Sequence, residues 1–278
     1  MDQQFFKVSP DDLNAYAVHT PFILEQESQA WFFFAVSENG NARERDYNIW
    51  VKAPGWSEPK KILDFEDSLC GPWIVPMDGY FRMFVSVLWS NKPGYSIITF
   101  TSKNLLDWDY EGVAVAGSKY YRSVTSPCVI RDPTNSGWIM FHTGQPDDRL
   151  LGRPLASPNF ETFYATSDDG LNFTTQGLVG IARDEDSADG QYKPNVFQIA
   201  PEQWLMFLSG LPYDGGFRTV IYSSSDLVSW EKRGIILPQN EAMLYKPILY
   251  HDHLILVSRL FDGRSFIRSM DFDSSKYL

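Results

Sequence analysis

Two cysteines, Cys70 and Cys128, are too few for a disulfide framework or a thiolate-rich metal site. Basic residues are also scarce. Lys and Arg number 24 against 35 Asp and Glu, and the net charge of −11 argues against the phosphate-neutralising surface that nucleic acids and anionic membranes require, while leaving room for a local basic pocket. Long apolar runs are absent: the longest, around Trp31 to Val36, falls far short of the roughly 20 residues that cross a bilayer. The opening residues lack a basic segment followed by an apolar one, so no secretory signal is visible and a cytoplasmic location is expected. No His-x-x-x-His helix, Gly-rich phosphate loop or Gly-x-Ser-x-Gly elbow occurs. Zinc-peptidase, P-loop and α/β-hydrolase chemistries therefore lack support.

What the chain has in excess is aromatic side chains and a repeat. Nine Trp, 14 Tyr and 20 Phe make up 15% of the 278 residues. A short extended segment carrying proline recurs as His19-Thr20-Pro21-Phe22-Ile23, Cys70-Gly71-Pro72-Trp73-Ile74, Thr125-Ser126-Pro127-Cys128-Val129, Tyr192-Lys193-Pro194-Asn195-Val196 and Tyr245-Lys246-Pro247-Ile248-Leu249, with prolines 51, 55, 67 and 53 residues apart. A period of this size defines the architecture before any single element is named. After each segment come a dense apolar strand (31–35, 80–85, 138–141, 204–208, 253–257) and an alternating one (48–51, 96–101, 163–166, 219–223, 266–269). Three units then show a polar turn ending in an aromatic (102–108, 167–173, 225–230) and a short fourth strand (112–115, 177–179, 234–237). The pattern predicts an all-β fold. We read a five-bladed β-propeller with four antiparallel strands per blade, one domain over 1–278, its blades beginning near 19, 70, 125, 192 and 245. A blade cannot bury its own faces, so stacking between blades accounts for the aromatics. Proline is expected at the start of each innermost strand, where a ladder donor can be spared. The stretch 4–8 is expected to supply the outer strand that closes the ring.

The Pro-bearing inner strands, the Trp- and Tyr-rich second strands and the turn Ser225-Asp226-Leu227-Val228-Ser229-Trp230-Glu231, with Gly234 and Ile235, resemble the arabinanase, invertase and levansucrase superfamily, notably glycoside hydrolase family 43. The resemblance spans nearly the whole chain. It implies a pocket on the ring axis, where the inner strands begin, and three carboxylates in it. A base or nucleophile would stand just before the first-blade Pro, a supporting Asp just after the second-blade Pro, and a Glu acid about two residues before the third-blade Pro. Such a set is needed because one carboxylic acid protonates the leaving oxygen while a carboxylate activates water or attacks carbon. Here those positions hold Thr20, Trp73 and Thr125, none of which ionises as required. The resemblance thus argues for the fold and against the standard mechanism, and fold alone does not license function. Asp67, Asp186 and Asp189, in loops entering inner strands, are candidates for displaced carboxylates.

Residues beside the prolines are expected to face the central funnel. They include His19, Arg122, Lys193 and Lys246, with Tyr192 and Tyr245; Thr20, Trp73 and Thr125 join them as substrate contacts. Two lysines converging on one pocket of low dielectric need an anion, or carboxylates such as Asp186 and Asp189, to neutralise them. One reading is a pocket for a carboxylate-, phosphate- or sulfate-bearing molecule, with His19, Lys193 or Lys246 as the catalytic base. The other is that each lysine pairs with a neighbouring blade's carboxylate and holds the ring together. His142, Ser209 and Arg259 end second strands on the same side, where His142 either reaches the pocket or bonds to backbone at the rim. The loop 143–161, with Asp147, Asp148, Arg149 and Arg153, is long enough for a lid. The acidic stretch 182–190 departs from calcium-loop spacing, with Asn195 where the final Glu would stand, so no metal or other cofactor is expected. Three functions stay open: an enzyme acting on a small polar or anionic molecule by acid/base chemistry, a glycosidase with relocated carboxylates, and a non-catalytic sugar- or acid-binding propeller. Each takes a small molecule; none takes a nucleic acid or a membrane.

Overall fold

An apolar strand with no polar face needs cover on both sides, and stacking one sheet against the next supplies it. The computed structural model describes residues 6–39, 46–91, 94–117, 121–146, 160–212, 218–236, 247–251, 253–259 and 265–277. The first blade is β1 (Ala17–Gln26), β2 (Gln29–Ser37), β3 (Tyr47–Lys52) and β4 (Lys60–Leu63), each strand antiparallel to the next. The second is β5 (Ser68–Pro76), β6 (Phe81–Leu88), β7 (Tyr95–Ser102) and β8 (Asp109–Val115). The third is β9 (Tyr121–Arg131), β10 (Trp138–Pro146), β11 (Glu161–Ser167) and β12 (Thr174–Leu178). The fourth is β13 (Gly190–Ala200), β14 (Gln203–Leu211), β15 (Arg218–Ser224) and β16 (Glu231–Ile235). The fifth holds β17 (Ile248–Tyr250), β18 (His253–Arg259) and β19 (Ser265–Asp271).

Second strands carry the core. Phe32, Phe33 and Phe34 of β2 are all fully buried, and because successive side chains point to opposite faces, one strand fills two inter-blade interfaces. Phe84 meets Phe173 of the next blade edge-on at 5.7 Å, and Phe141 meets Trp230 at 6.1 Å. The polar turns repeat one geometry. A serine oxygen accepts the N–H three residues on in Ser102/Leu105, Ser167/Gly170 and Ser224/Leu227, and that third residue takes φ of +66°, +70° and +63°. The anchoring serine in the fourth blade is thus Ser224, one residue before the turn read from the sequence.

Ring closure follows the expected route. Val8 exchanges both backbone hydrogen bonds with Ile267, at 3.2 and 2.9 Å, which places the N-terminal segment beside β19. Phe6 is buried against Phe32 and Tyr250, while residues 4 and 5 lie outside the described residues.

The prolines do not start the inner strands. Pro21, Pro72, Pro127 and Pro194 lie inside β1, β5, β9 and β13, each at a break in register. A bulge removes its residues from the ladder, so the missing proline N–H leaves no acceptor unpaired. The residue before each proline is left-handed: Thr20 at φ +49°, Gly71 at +67°, Ser126 at +57° and Lys193 at +57°. The sequence shows the proline but not the bulge, because a bulge is fixed by what the neighbouring strand offers.

Candidate functional site

Four bulges at one height bring their flanking residues to one place, since β1, β5, β9 and β13 are successive neighbours and β17 returns to β1. The residues before the bulges are His19, Cys70, Thr125 and Tyr192, of which His19, Cys70 and Thr125 are only half-buried. Below them the axis is filled. The Trp73 indole contacts Phe22 of the first blade at 4.9 Å, donates its N–H to the Val129 carbonyl of the third at 2.7 Å, and lies 6.4 Å from Phe197 of the fourth. The second and fourth blades are not neighbours, so a ring that touches both must lie across the centre. Trp73 therefore plugs the ring axis, with the half-buried His19, Cys70 and Thr125 at the mouth above it.

His19 of the first blade lies within electrostatic range of Lys193 of the fourth. Burial, and secondarily the Lys193 charge, push the His19 imidazole down to about 3, so it is neutral at physiological pH. Its ring lies edge-on to Tyr47 at 5.2 Å. The Lys193 ammonium stands 5.4 Å from the Tyr192 ring centre, and Tyr192 in turn stacks on Phe160 at 5.0 Å. Thr20 accepts the Gly71 N–H at 3.0 Å, and Thr125 donates to Ser86 at 2.9 Å. Sequence reasoning missed Tyr47, Phe160, Ser86 and Thr143. The legible signal was the hydroxyl shared by Ser86 and Thr143 at one second-strand position.

Other candidates stand elsewhere. His142 is fully buried, stacked on Phe163 at 5.7 Å with Nδ1 3.4 Å from the Thr143 carbonyl; burial takes it down to about 4. Ser209 is buried opposite Tyr192. Asp186 is held by Arg218 and Lys232, and Lys232 also bridges to Asp184. Burial would raise the Asp186 carboxyl, but its two cationic partners outweigh that and keep it below the ordinary range. Asp67 accepts the Ser90 N–H at 2.6 Å. Asp189 is half-buried at the head of β13, its backbone N–H on Leu211. Neither cysteine forms a disulfide, and the buried Cys128 sulfur accepts the Val196 N–H at 3.2 Å. Tyr245, Lys246 and loop residues 147–159, including Asp147, Asp148, Arg149 and Arg153, lie outside the described residues, as do the side chains of Arg122 and Arg259.

A closed ring of five antiparallel sheets, with its inner-strand bulges gathered at one end of the axis, defines a five-bladed β-propeller. The chain belongs to the family described as glycosyl hydrolases family 32 N-terminal domain, whose model matches residues 80–247. Among solved structures it is similar to a Bacillus subtilis arabinanase, at 14% identity over 92% of this chain and 94% of that one with a TM-score of 0.65. It is likewise similar to an α-L-arabinanase of Cellvibrio cellulosa, at 13% identity over 94% and 98% with a TM-score of 0.64. A Bombyx mori family-32 β-fructofuranosidase matches at 15% identity over 75% and 47%, with a TM-score of 0.59. At such identities the likeness is one of fold. No curated protein matches the sequence.

Proposed function

We propose that the protein transforms a small polar or anionic molecule, carboxylate-bearing or sugar-derived, at the funnel mouth by acid/base chemistry. What supports this is a histidine, His19, that lies within range of the Lys193 charge on inner strands where Thr20, Trp73 and Thr125 stand in place of the superfamily's carboxylates. Without a ligand, burial and, secondarily, the lysine charge make His19 a weak base. An anionic group bound to Lys193 cancels the smaller of these two effects, so His19 gains basicity when substrate is seated while burial still holds it below its ordinary value. Lys193 supplies binding and charge stabilisation; His19 moves the proton. By position, Lys246 would add a second cation.

A glycosidase with a relocated carboxylate is the competing reading, and Asp189, half-buried two residues before Gln191, is what favours it. The experiment is a panel of arabino- and fructo-oligosaccharides and sugar acids, with binding read by calorimetry and products by mass spectrometry, on wild type and on His19→Asn, Lys193→Met and Asp189→Asn. Our reading expects turnover of an acidic ligand that is lost in the first two variants and kept in Asp189→Asn. Oligosaccharide hydrolysis lost only in Asp189→Asn sinks it, and binding with no product in any case assigns a non-catalytic propeller.

A further inference from the structure

We propose that Thr143 is a positioning residue for Lys193, its hydroxyl holding the lysine's backbone in the conformation that delivers the side chain to the funnel mouth. The inference rests on Lys193 being a funnel group, as proposed above. Thr143 is fully buried in β10, and its Oγ1 accepts the Lys193 N–H from the neighbouring blade at 2.7 Å. Lys193 sits at φ +57° before Pro194, a backbone region that a long side chain rarely adopts and that persists only when its surroundings impose it.

The same fastening occurs one blade earlier. Ser86 Oγ accepts the N–H of Ser126, also at φ +57°, at 2.8 Å. Ser86 lies opposite Cys70 and Thr143 opposite Thr125, so the two hydroxyls occupy one register position of the second strand. In the first blade that position, opposite His19, is Ala35, which has no hydroxyl. There the next bulge residue is Gly71, which adopts φ +67° without strain, and its N–H turns to Thr20 Oγ1 instead. A second-strand hydroxyl thus holds each of these two bulge residues that carries a side chain. For Ser126 the consequence is local. For Lys193 it sets where a cation stands relative to His19: relaxing φ to negative values swings Cβ, and the ammonium with it, away from the mouth.

The test uses nuclear magnetic resonance on the full chain, following the His19 imidazole titration and the Lys193 Cα and Cβ shifts in Lys193→Met, Thr143→Val, Thr143→Ser and Ser86→Ala. Lys193→Met defines the full response, an upward move of the His19 midpoint. Thr143→Val is expected to move it in the same direction and to take the Lys193 shifts out of the left-handed pattern, whereas Thr143→Ser leaves both as in wild type. Ser86→Ala is expected to lower the melting temperature as Thr143→Val does, with His19 unmoved. A wild-type His19 midpoint in Thr143→Val, or an equal move in Ser86→Ala, overturns the proposal. If Thr143→Val does not fold, hydrogen exchange of the wild-type Lys193 amide decides: slow exchange supports the fastening, and exchange at the rate of an exposed loop refutes it. Failure of the functional reading shows separately, as no ligand transformed by wild type with these readouts unchanged.

Discussion

His19 and His142 are two of four histidines, and both are held neutral, His142 by complete burial at about 4 and His19 by its partly buried position and the Lys193 charge at about 3. The folded values lie below the unfolded value of about 6.5, so the unfolded chain binds more protons as pH falls. Their contribution is complete above about pH 6.5 and is lost progressively as pH falls toward the folded values. The expected slope is at most about 1.4 kcal/mol per pH unit for each group. Urea unfolding between pH 6.5 and 4.5 should show stability falling in wild type, with a shallower slope in His142→Phe, which keeps the stack on Phe163 without a proton site. An unchanged slope would show that His142 is not buried neutral. Residue identity at the bulges was legible in the sequence, because Tyr-Lys-Pro and His-Thr-Pro stand out. Side-chain direction was not. His142 and Thr143 are adjacent and point to opposite faces, and only the register against Thr125 decides which of the two faces the bulge.

At the scale of elements, the repeating turn shows how local chemistry ends one strand and begins the next. Asp226 Oδ1 accepts the N–H groups of Val228 and Ser229 at 2.8 and 2.7 Å, and with Ser224 these bonds pull its carboxyl down to about 2. The Trp230 indole then donates to the Leu227 carbonyl at 3.2 Å, fixing the aromatic that packs on Phe141. Asp226→Ala is expected to cost about 1 kcal/mol, the scale of losing a side-chain acceptor for otherwise unpaired backbone N–H groups. Asp226→Asn, which keeps an acceptor oxygen, should cost less. Thermal melts check the order; equal losses in the two variants would mean that charge rather than hydrogen bonding matters. This element was readable because its signal lies within seven residues. The inner-strand bulge was not, since its partner hydroxyl lies about 40 or 50 positions away, at Ser86 for Ser126 and at Thr143 for Lys193.

The whole molecule depends on a short contact between its two ends. Stacked repeats contact only their neighbours, and an open array frays from its terminal units, so a ring gains by making its last blade adjacent to its first. That junction includes the two Val8–Ile267 backbone bonds and the Phe6 ring set between Phe32 of the first blade and Tyr250 of the fifth, beside the packing of β1 on β17, β18 and β19. Truncating a buried Phe costs about 3–5 kcal/mol, a large part of the 5–15 kcal/mol that holds a typical domain folded. Phe6→Ala is therefore expected to do more than lower the melting temperature. The loss falls at the seam, so amide exchange should accelerate first in β17, β18 and β19, while β9, β10, β13 and β14 on the far side keep nearly wild-type protection. The freed edge of β19 would present unpaired backbone groups, and light scattering should rise on mild heating. A Phe6→Ala protein whose exchange accelerates evenly across all blades would show instead that the ring opens as one cooperative unit, with the seam no weaker than any other inter-blade contact.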